Sequence, residues 1–435
     1  MFSLRVASIA FCVFLLSFLS QNVFAAGSGA YRVEAPDAGA FGMGSAFVGE
    51  ADTPAAVYYN PAGINQMSRP EISLGDSIVA PRAQYKTSSG DTLSERNHEY
   101  NIPNFYAVIP VKSNKFTLGF GSGSYWGLGT DWAPDSSLRY ATTQANITNV
   151  DNSLVAAFQV TSQWSLAASV ENDYSKADES YKFPNPSQAD GGLELKATDD
   201  SWGYRLATLF RFNDKNQAGL MYRSRINHNY VGNVYADNIG AYYQGALSGI
   251  PGPALGSSFQ TKAEEKAVLP QSVVMGYSFK PITKLTINAD LEWMDWSSTK
   301  YQTLTFPNAT PQQSAFLGLS PNPITQNWHS AWSESVGAQY AVTDQFRVRA
   351  GYYHHQSPIP SNTFNPVIPD SSSNAFTVGF GYDLTKRLSI DLAYSGLVYR
   401  ARDITNTVSN VFTGTVNGKY SQYVHIGALS LTYKF

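Results

Sequence analysis

Any chemistry in this chain would have to come from its histidines and carboxylates, and their spacing builds no catalytic set. A hydrolase would need a Ser/His or Asp/His constellation on one wall. The six histidines are His98, His228, His329, His354, His355 and His425. His354 and His355 are neighbours, and in a strand adjacent side chains point to opposite faces, so the pair cannot easily hold one metal. The other four are scattered, without zinc-site spacing. The single cysteine, Cys12, lies near the N-terminus, in a stretch read below as a signal. No catalytic residue, metal or cofactor is expected, which leaves binding or transport and turns attention to the elements that would shape a path.

Composition narrows those elements. Charged residues make up 14% of the 435-residue chain, about half the usual share for a soluble globular protein. Aromatics reach 14% as well, so much of the surface is expected to face something other than water. A net charge of −3 and the lack of basic or acidic runs exclude nucleic-acid partners. Residues 1–25 read as a secretion signal: Arg5 is the positive start, Val6 to Leu19 is apolar, and Val23-Phe24-Ala25 suits cleavage after Ala25. The apolar run is too short to anchor the chain across a bilayer. Phe11 before Cys12 argues against a lipid anchor. After the signal no stretch of 18 apolar residues occurs, so membrane-spanning helices are excluded.

From residue 71 onward the hydrophobic period is 2. In "LTINADLEWMDW" Leu285, Ile287, Ala289, Leu291 and Trp293 share one face, and Thr286, Asn288, Asp290 and Glu292 share the other. The same alternation recurs in "AFTVGFGYDL" and "LSIDLAYS", with aromatics near the segment ends. Breaks at Gly, Pro, Asn, Asp and Ser clusters predict strands at 71–85, 97–111, 115–126, 150–161, 164–182, 195–212, 216–235, 260–279, 284–303, 326–341, 345–356, 373–383, 387–402 and 418–435. Tight links such as Lys112-Ser113-Asn114, Asn213-Asp214-Lys215 and Leu384-Thr385-Lys386 alternate with long ones. That asymmetry predicts an all-β, 14-stranded antiparallel transmembrane barrel of the bacterial outer membrane, residues 71–435. The terminal strand ends on Phe435, which resembles the signal by which such barrels meet their assembly machinery.

Residues 26–70 fit no membrane strand; they are rich in Gly and Ala and carry Pro36, Pro54 and Pro61. A barrel of this size leaves a lumen, so the segment is expected to fold inside it as a hatch. Gly119, Gly121, Gly123, Gly127 and Gly129 crowd the third strand, which predicts either a bend or close packing on that hatch.

With these features in place, the chain resembles the long-chain fatty acid transporter family of outer-membrane barrels, known as FadL. The resemblance is carried by "GAFGMGSAFVGEADTPAAVYYNPAGINQMSRP", "GSYWGLGTDW", "LMYRS", "VLPQSVVMGY" and "SPIPSNTFNPVIPD", in that order. It implies capture of a hydrophobic molecule at extracellular loops, an inner site, and sideways release through a gap at a kinked third strand. Asn60, Pro61 and Ala62 match the family's hatch motif, and the kink maps to Ser122, Gly123, Ser124 and Gly127. Lys182 falls near a basic position that grips the carboxylate, although a lysine snorkelling at the rim reads equally well. A second basic position falls near Ile324 or Thr325, where no charge stands, so neutral aromatic or alkane hydrocarbons stay open as substrates. The loop "GAYYQGALSGIPGPALG" suits either a capture groove or a packed tip. The expected partners are the hydrophobic substrate, outer-membrane lipids and lipopolysaccharide, and the assembly machinery through Phe435. A monomer is expected. A general diffusion porin is the weaker alternative, since porins usually have sixteen or eighteen strands and need no hatch.

Overall fold

The computed structural model describes residues 29–435 except 34, 112–114, 187, 320–321 and 409–415. The signal segment, Cys12 and the link at 112–114 lie outside the described residues. Fourteen strands follow one another round a closed wall: β1 (Glu71–Thr87), β2 (Thr92–Ser94 and Tyr100–Val111), β3 (Phe116–Gly123 and Gly127–Asp131), β4 (Gln144–Gln159), β5 (Trp164–Phe183), β6 (Gly191–Asn213), β7 (Asn216–Arg223 and Ile226–Asp237), β8 (Phe259–Leu269 and Ser272–Ile282), β9 (Leu285–Met294 and Tyr301–Thr305), β10 (Ile324–Thr325 and Ala331–Ala341), β11 (Phe346–His355), β12 (Ser373–Asp383), β13 (Leu388–Tyr399 and Arg402–Ile404) and β14 (Gly418–Lys434). Each pairs antiparallel with the next, and β1 closes on β14 from Glu71↔Lys434 to Thr87↔Gly418. Closure leaves neither the first nor the last strand as an open edge, as a sheet in hydrocarbon requires.

Alternation decides which side faces out. Leu74, Ile78, Leu154, Phe158, Val170, Leu206, Phe376 and Phe380 are exposed on the outer face. Their neighbours along each strand are buried, among them Ser153, Glu171, Arg205 and Ser430. The barrel is therefore oily outside and polar inside.

Several strands begin earlier than the sequence predicts, among them β4 at Gln144 rather than 150 and β6 at Gly191 rather than 195. The outward positions there are Asn146 and Thr148 in β4, and Glu194 in β6. Beyond the hydrocarbon zone the outer face has no reason to be apolar, so the alternation fades while the ladder continues.

The N-terminal segment sits within this ring. Asp37 caps the short helix α1 (Ala38–Phe41), its Oδ1 accepting from Ala40 N at 2.9 Å. Helix α2 (Ala56–Tyr59) runs into a 3₁₀ turn (Pro61–Gln66). Asn60 caps that turn through Ala62 N (3.1 Å), and Pro61 at its first position gives up an N–H that would have had no helical partner. The segment bonds to strands all round the wall: Tyr106 OH of β2 donates to Pro36 O (3.0 Å), Asn60 Nδ2 to Thr208 O of β6 (3.2 Å), Phe47 N to Asp290 of β9 (2.8 Å), and Ala38 N to Ser430 of β14 (3.0 Å).

Backbone approaches backbone where the wall has no side chain. Gly337 and Gly351 face each other across the β10–β11 ladder. A Cβ on Gly337 would lie 2.1 Å from Met43 O, and one on Gly351 2.3 Å from Gly44 N. Gly337→Val should therefore unseat the segment and destabilise the protein by about 1–3 kcal/mol or more. A lowered thermal unfolding midpoint is expected, with no change for Gly427→Ala, whose added Cβ meets open space.

Candidate functional site

The glycines of β3 serve two purposes. A Cβ on Gly119 or Gly121 would lie 2.9 or 2.7 Å from Val57, so these two make room for α2. The strand breaks just beyond them. Toward β4 the ladder stops at Gly123↔Asp151 and resumes at Gly127↔Thr148. That is four steps on β3 against three on β4 (127 − 123 and 151 − 148), one extra residue, as in a bulge.

Toward β2 the consequence is larger. The last pair is Phe105↔Ser122, so Tyr100–Asn104 find no ladder partner on β3. The strands meet again only where Arg96 N donates to Asp131 O at 2.8 Å. Around that point Asp131 is held by Arg96 Nε (2.8 Å) and, through its own N–H, by Glu95 Oε1 (3.0 Å). The β2–β3 ladder is thus interrupted, a window in the pairing with Phe105 and Ser122 as its lower edge and Asp131 as its upper one.

The strand turns inward at the window, and the N-terminal segment takes the place of β2. Val33 N donates to Tyr125 O (3.0 Å) and Gly127 N to Tyr31 O (2.7 Å). A backbone group without a partner at this depth would cost several kcal/mol, on the order of a lost hydrogen bond in an apolar medium. Of the residues singled out from the sequence, Ser122 donates to Asn152 (2.8 Å), Gly123 ends the lower ladder, Ser124 is buried and donates to Trp126 O (3.2 Å), and Gly127 starts the upper ladder. Asn60, Pro61 and Ala62 are buried on the other side of α2 from this break, toward β6.

Two cavities open inside. The first is lined by Arg32, Tyr58, Tyr125, Trp126, Met221 and Arg223 among others. Tyr58 of α2 stacks on Tyr125 of the break at 4.1 Å. The guanidinium groups of Arg205 and Arg223 lie 5.3–5.5 Å from both rings, within cation–π range. Arg205 is wholly buried, paired with Glu171 and 3.5 Å from Asp151. Arg32 pairs with Glu292. Arg223 comes no nearer than 3.7 Å to Glu171, and its Nε and Nη2 donate no hydrogen bond. The second cavity lies beyond Trp126, which lines both.

Lys182 lines neither cavity. It is on the outward register of β5 with Leu166, Val170 and Tyr174, so period 2 turns it away from the lumen. The carboxylate-gripping place expected for it is corrected on that ground. Ile324 and Thr325 pair with β9 at the loop side and bring no charge. The loop at residue 240 is a packed tip: helix α3 (Ala241–Ala246) sets Tyr243 against Phe183 and Phe316, at 5.8 and 5.4 Å.

The residues that sequence reasoning missed are the inward cations. Arg223 was within reach, since it stands in "LMYRS" with Leu220 on the outer face and Met221 on the inner one. Arg205 likewise follows the outward Tyr204.

The connection 356–372 covers the mouth above the break. Thr130 Oγ1 donates to Val367 O (3.1 Å), and Arg402 to Ile359 O (2.9 Å). Burial pushes the Asp370 carboxyl of this connection up to about 6, partly offset by the Ser357 hydroxyl. The folded loop then holds the proton more tightly than the unfolded one. Its contribution is fully present below about pH 4 and lost as pH rises through 6. Proteolysis within 356–372 should be slower at about pH 5 than at about pH 7.5, and Asp370→Asn should remove the difference.

A second expectation concerns Arg205→Met, which leaves Glu171 and Asp151 buried without this cation. It should cost about 3–5 kcal/mol, read as a loss of heat-modifiable folded barrel, with partial recovery on adding Glu171→Gln.

Comparison with known proteins bears on the whole chain. The model of the outer membrane protein transport protein family (OMPP1/FadL/TodX) matches residues 16–435. An outer membrane protein of Neisseria meningitidis serogroup B is 25% identical, with 96% of this chain and 97% of that protein covered. A long-chain fatty acid transport protein of Escherichia coli is 22% identical over 81% of this chain and 84% of its own. Among solved structures, a Pseudomonas aeruginosa FadL homologue superposes with a TM-score of 0.82 at 20% identity, covering 93% of this chain and all of that one. The Pseudomonas putida toluene transporter TodX gives 0.68 at 18%, with 94% and 99% covered.

Proposed function

The chain belongs to the outer membrane protein transport family (OMPP1/FadL/TodX), whose members carry hydrophobic compounds across the outer membrane, and on that premise we propose that it imports long-chain fatty acids passively and releases them sideways into the bilayer. The observation that carries the lateral route is the window between β2 and β3, backed from inside by Tyr31–Val33. In this reading the N-terminal segment, residues 26–70, is the hatch. Withdrawing its backbone from Tyr125 and Gly127 opens the way from the first cavity to the acyl chains.

Energetics favour such an exit. Burying a CH₂ is worth about 0.8 kcal/mol, so a chain of about sixteen carbons gains on the order of 10 kcal/mol in an apolar site. Release into periplasmic water would forfeit most of that; release into hydrocarbon does not, and transport can run down a gradient.

A carboxylate headgroup is assigned to Arg223, the buried guanidinium with undonated N–H groups in the first cavity. The stack of Tyr58 on Tyr125 closes the site beside it. Assembly is proposed to use Phe435, whose ring lies edge-on to Tyr433 at 5.0 Å.

The test is uptake of labelled oleate by bacteria that lack their own fatty acid transporter and express this protein, with hexadecane and toluene as competitors. Saturable oleate uptake, weakly inhibited by hydrocarbons and lowered about tenfold or more by Arg223→Met, is expected. No oleate uptake from an assembled barrel would move the substrate to neutral hydrocarbons. Gly127→Trp should block the window and abolish uptake while the barrel still assembles; unchanged uptake would remove the lateral exit.

A further inference from the structure

The cavity beyond Trp126 has a chemistry opposite to that of the arginine-lined one. Leu128, Ile147, Ala177 and Leu269 make its walls apolar. Its inward polar groups include the acceptors Asn149, Glu179 and Glu265, while the hydroxyls of Ser175 and Tyr230 bond to each other at 2.7 Å and His228 is held between Asp173 and Asp199. Asn149 is wholly buried, and its Nδ2 donates to Asp173. Because a carboxylate only accepts, that bond fixes the amide's orientation and leaves Oδ1 as the outstanding atom. This oxygen accepts no hydrogen bond.

Glu179 and Glu265 line the same cavity, and among the described residues neither forms an ion pair with a lysine or arginine. Lys266 also borders the space, but it is exposed and one residue out of phase with the buried Glu265. The phenol of Tyr31 lines the cavity too; it is held well above its ordinary value by burial first and then by the negative potential of Glu265 and Glu179. Both carboxyls thus act on the ring that closes the cavity toward the N-terminal segment.

We propose that this second cavity binds an apolar molecule whose head donates hydrogen bonds, a long-chain alcohol or an alkylammonium ion, and that it disfavours an alkyl carboxylate. A hydroxyl or ammonium head satisfies Asn149 Oδ1, whereas an alkyl carboxylate has no proton to donate and would leave that oxygen without a partner. The molecule's chain lies along the four apolar side chains. The site goes beyond the fatty acid reading and does not depend on it, since Arg223 lines the other cavity.

The experiment is equilibrium binding of tritiated 1-dodecanol, dodecylamine and dodecanoate to the full protein in lipid nanodiscs, with empty nanodiscs subtracted. Saturable binding of the alcohol or the amine is expected, weakened about tenfold by Asn149→Leu and unaffected by Arg223→Met. Dodecanoate should show the reverse pattern, so a failure of the Arg223 assignment is distinguishable from a failure of this one. Absence of saturable binding for both donor-headed probes overturns the proposal. So does displacement of the bound alcohol by dodecanoate at equal affinity in the unaltered protein, a measurement that stands even if Asn149→Leu does not assemble.

Discussion

Hydrocarbon offers a peptide group no partner, and most of this architecture follows from that constraint. It is why fourteen strands close on themselves rather than ending in an edge, and why β1 and β14 pair along their whole length. It also sets the terms on which the wall can be interrupted. When β3 leaves β2 after Ser122, the amides freed at the break are answered from inside by Tyr31 and Val33. The window exists only because the N-terminal segment stands in as a strand.

The same segment explains the polar lumen. Met43, Phe47, Val57 and Ile64 of the segment pack on Val108, Val155 and Leu209 of the wall, and around that apolar contact buried backbone groups are exchanged between segment and wall. Asp290 receives the N–H groups of Phe47 and Val48, and Gln217 donates to Gly49 O and Glu50 O. Such bonds need exact placement of few atoms and add direction to the apolar contact. They hold a segment that is built of small residues and lies flat against paired glycines.

Much of the fold was legible in the sequence because period 2 has a single physical meaning here: one face meets lipid, the other does not. Where that contrast ends, so does legibility, as in β4, whose first turns carry Asn146 and Thr148 outward. The site was legible in part. Glycine crowding marked the region of the break, but Gly119 and Gly121 proved to be clearance for Val57 and the break itself lies at Ser124–Trp126. Lys182 misled because a charge near a strand end says nothing of its face until the register is counted. Arg205 and Arg223 were hidden by the converse: a charge in mid-strand looks like ordinary lumen polarity until the aromatic rings packed on it are seen.

The bonds from Tyr31 and Val33 also carry a consequence for the order of events in biogenesis. The N-terminal segment leaves the ribosome first, yet its partners include Thr377 of β12 and Ser430 of β14, among the last residues made. Such long sequence separations make for late, slow contacts. The upper half of β3 cannot satisfy its backbone until the segment has found its seat. Threading of the lumen and completion of the wall are therefore coupled, and a chain caught between them would leave Tyr125 O and Gly127 N without the partners that Val33 and Tyr31 supply.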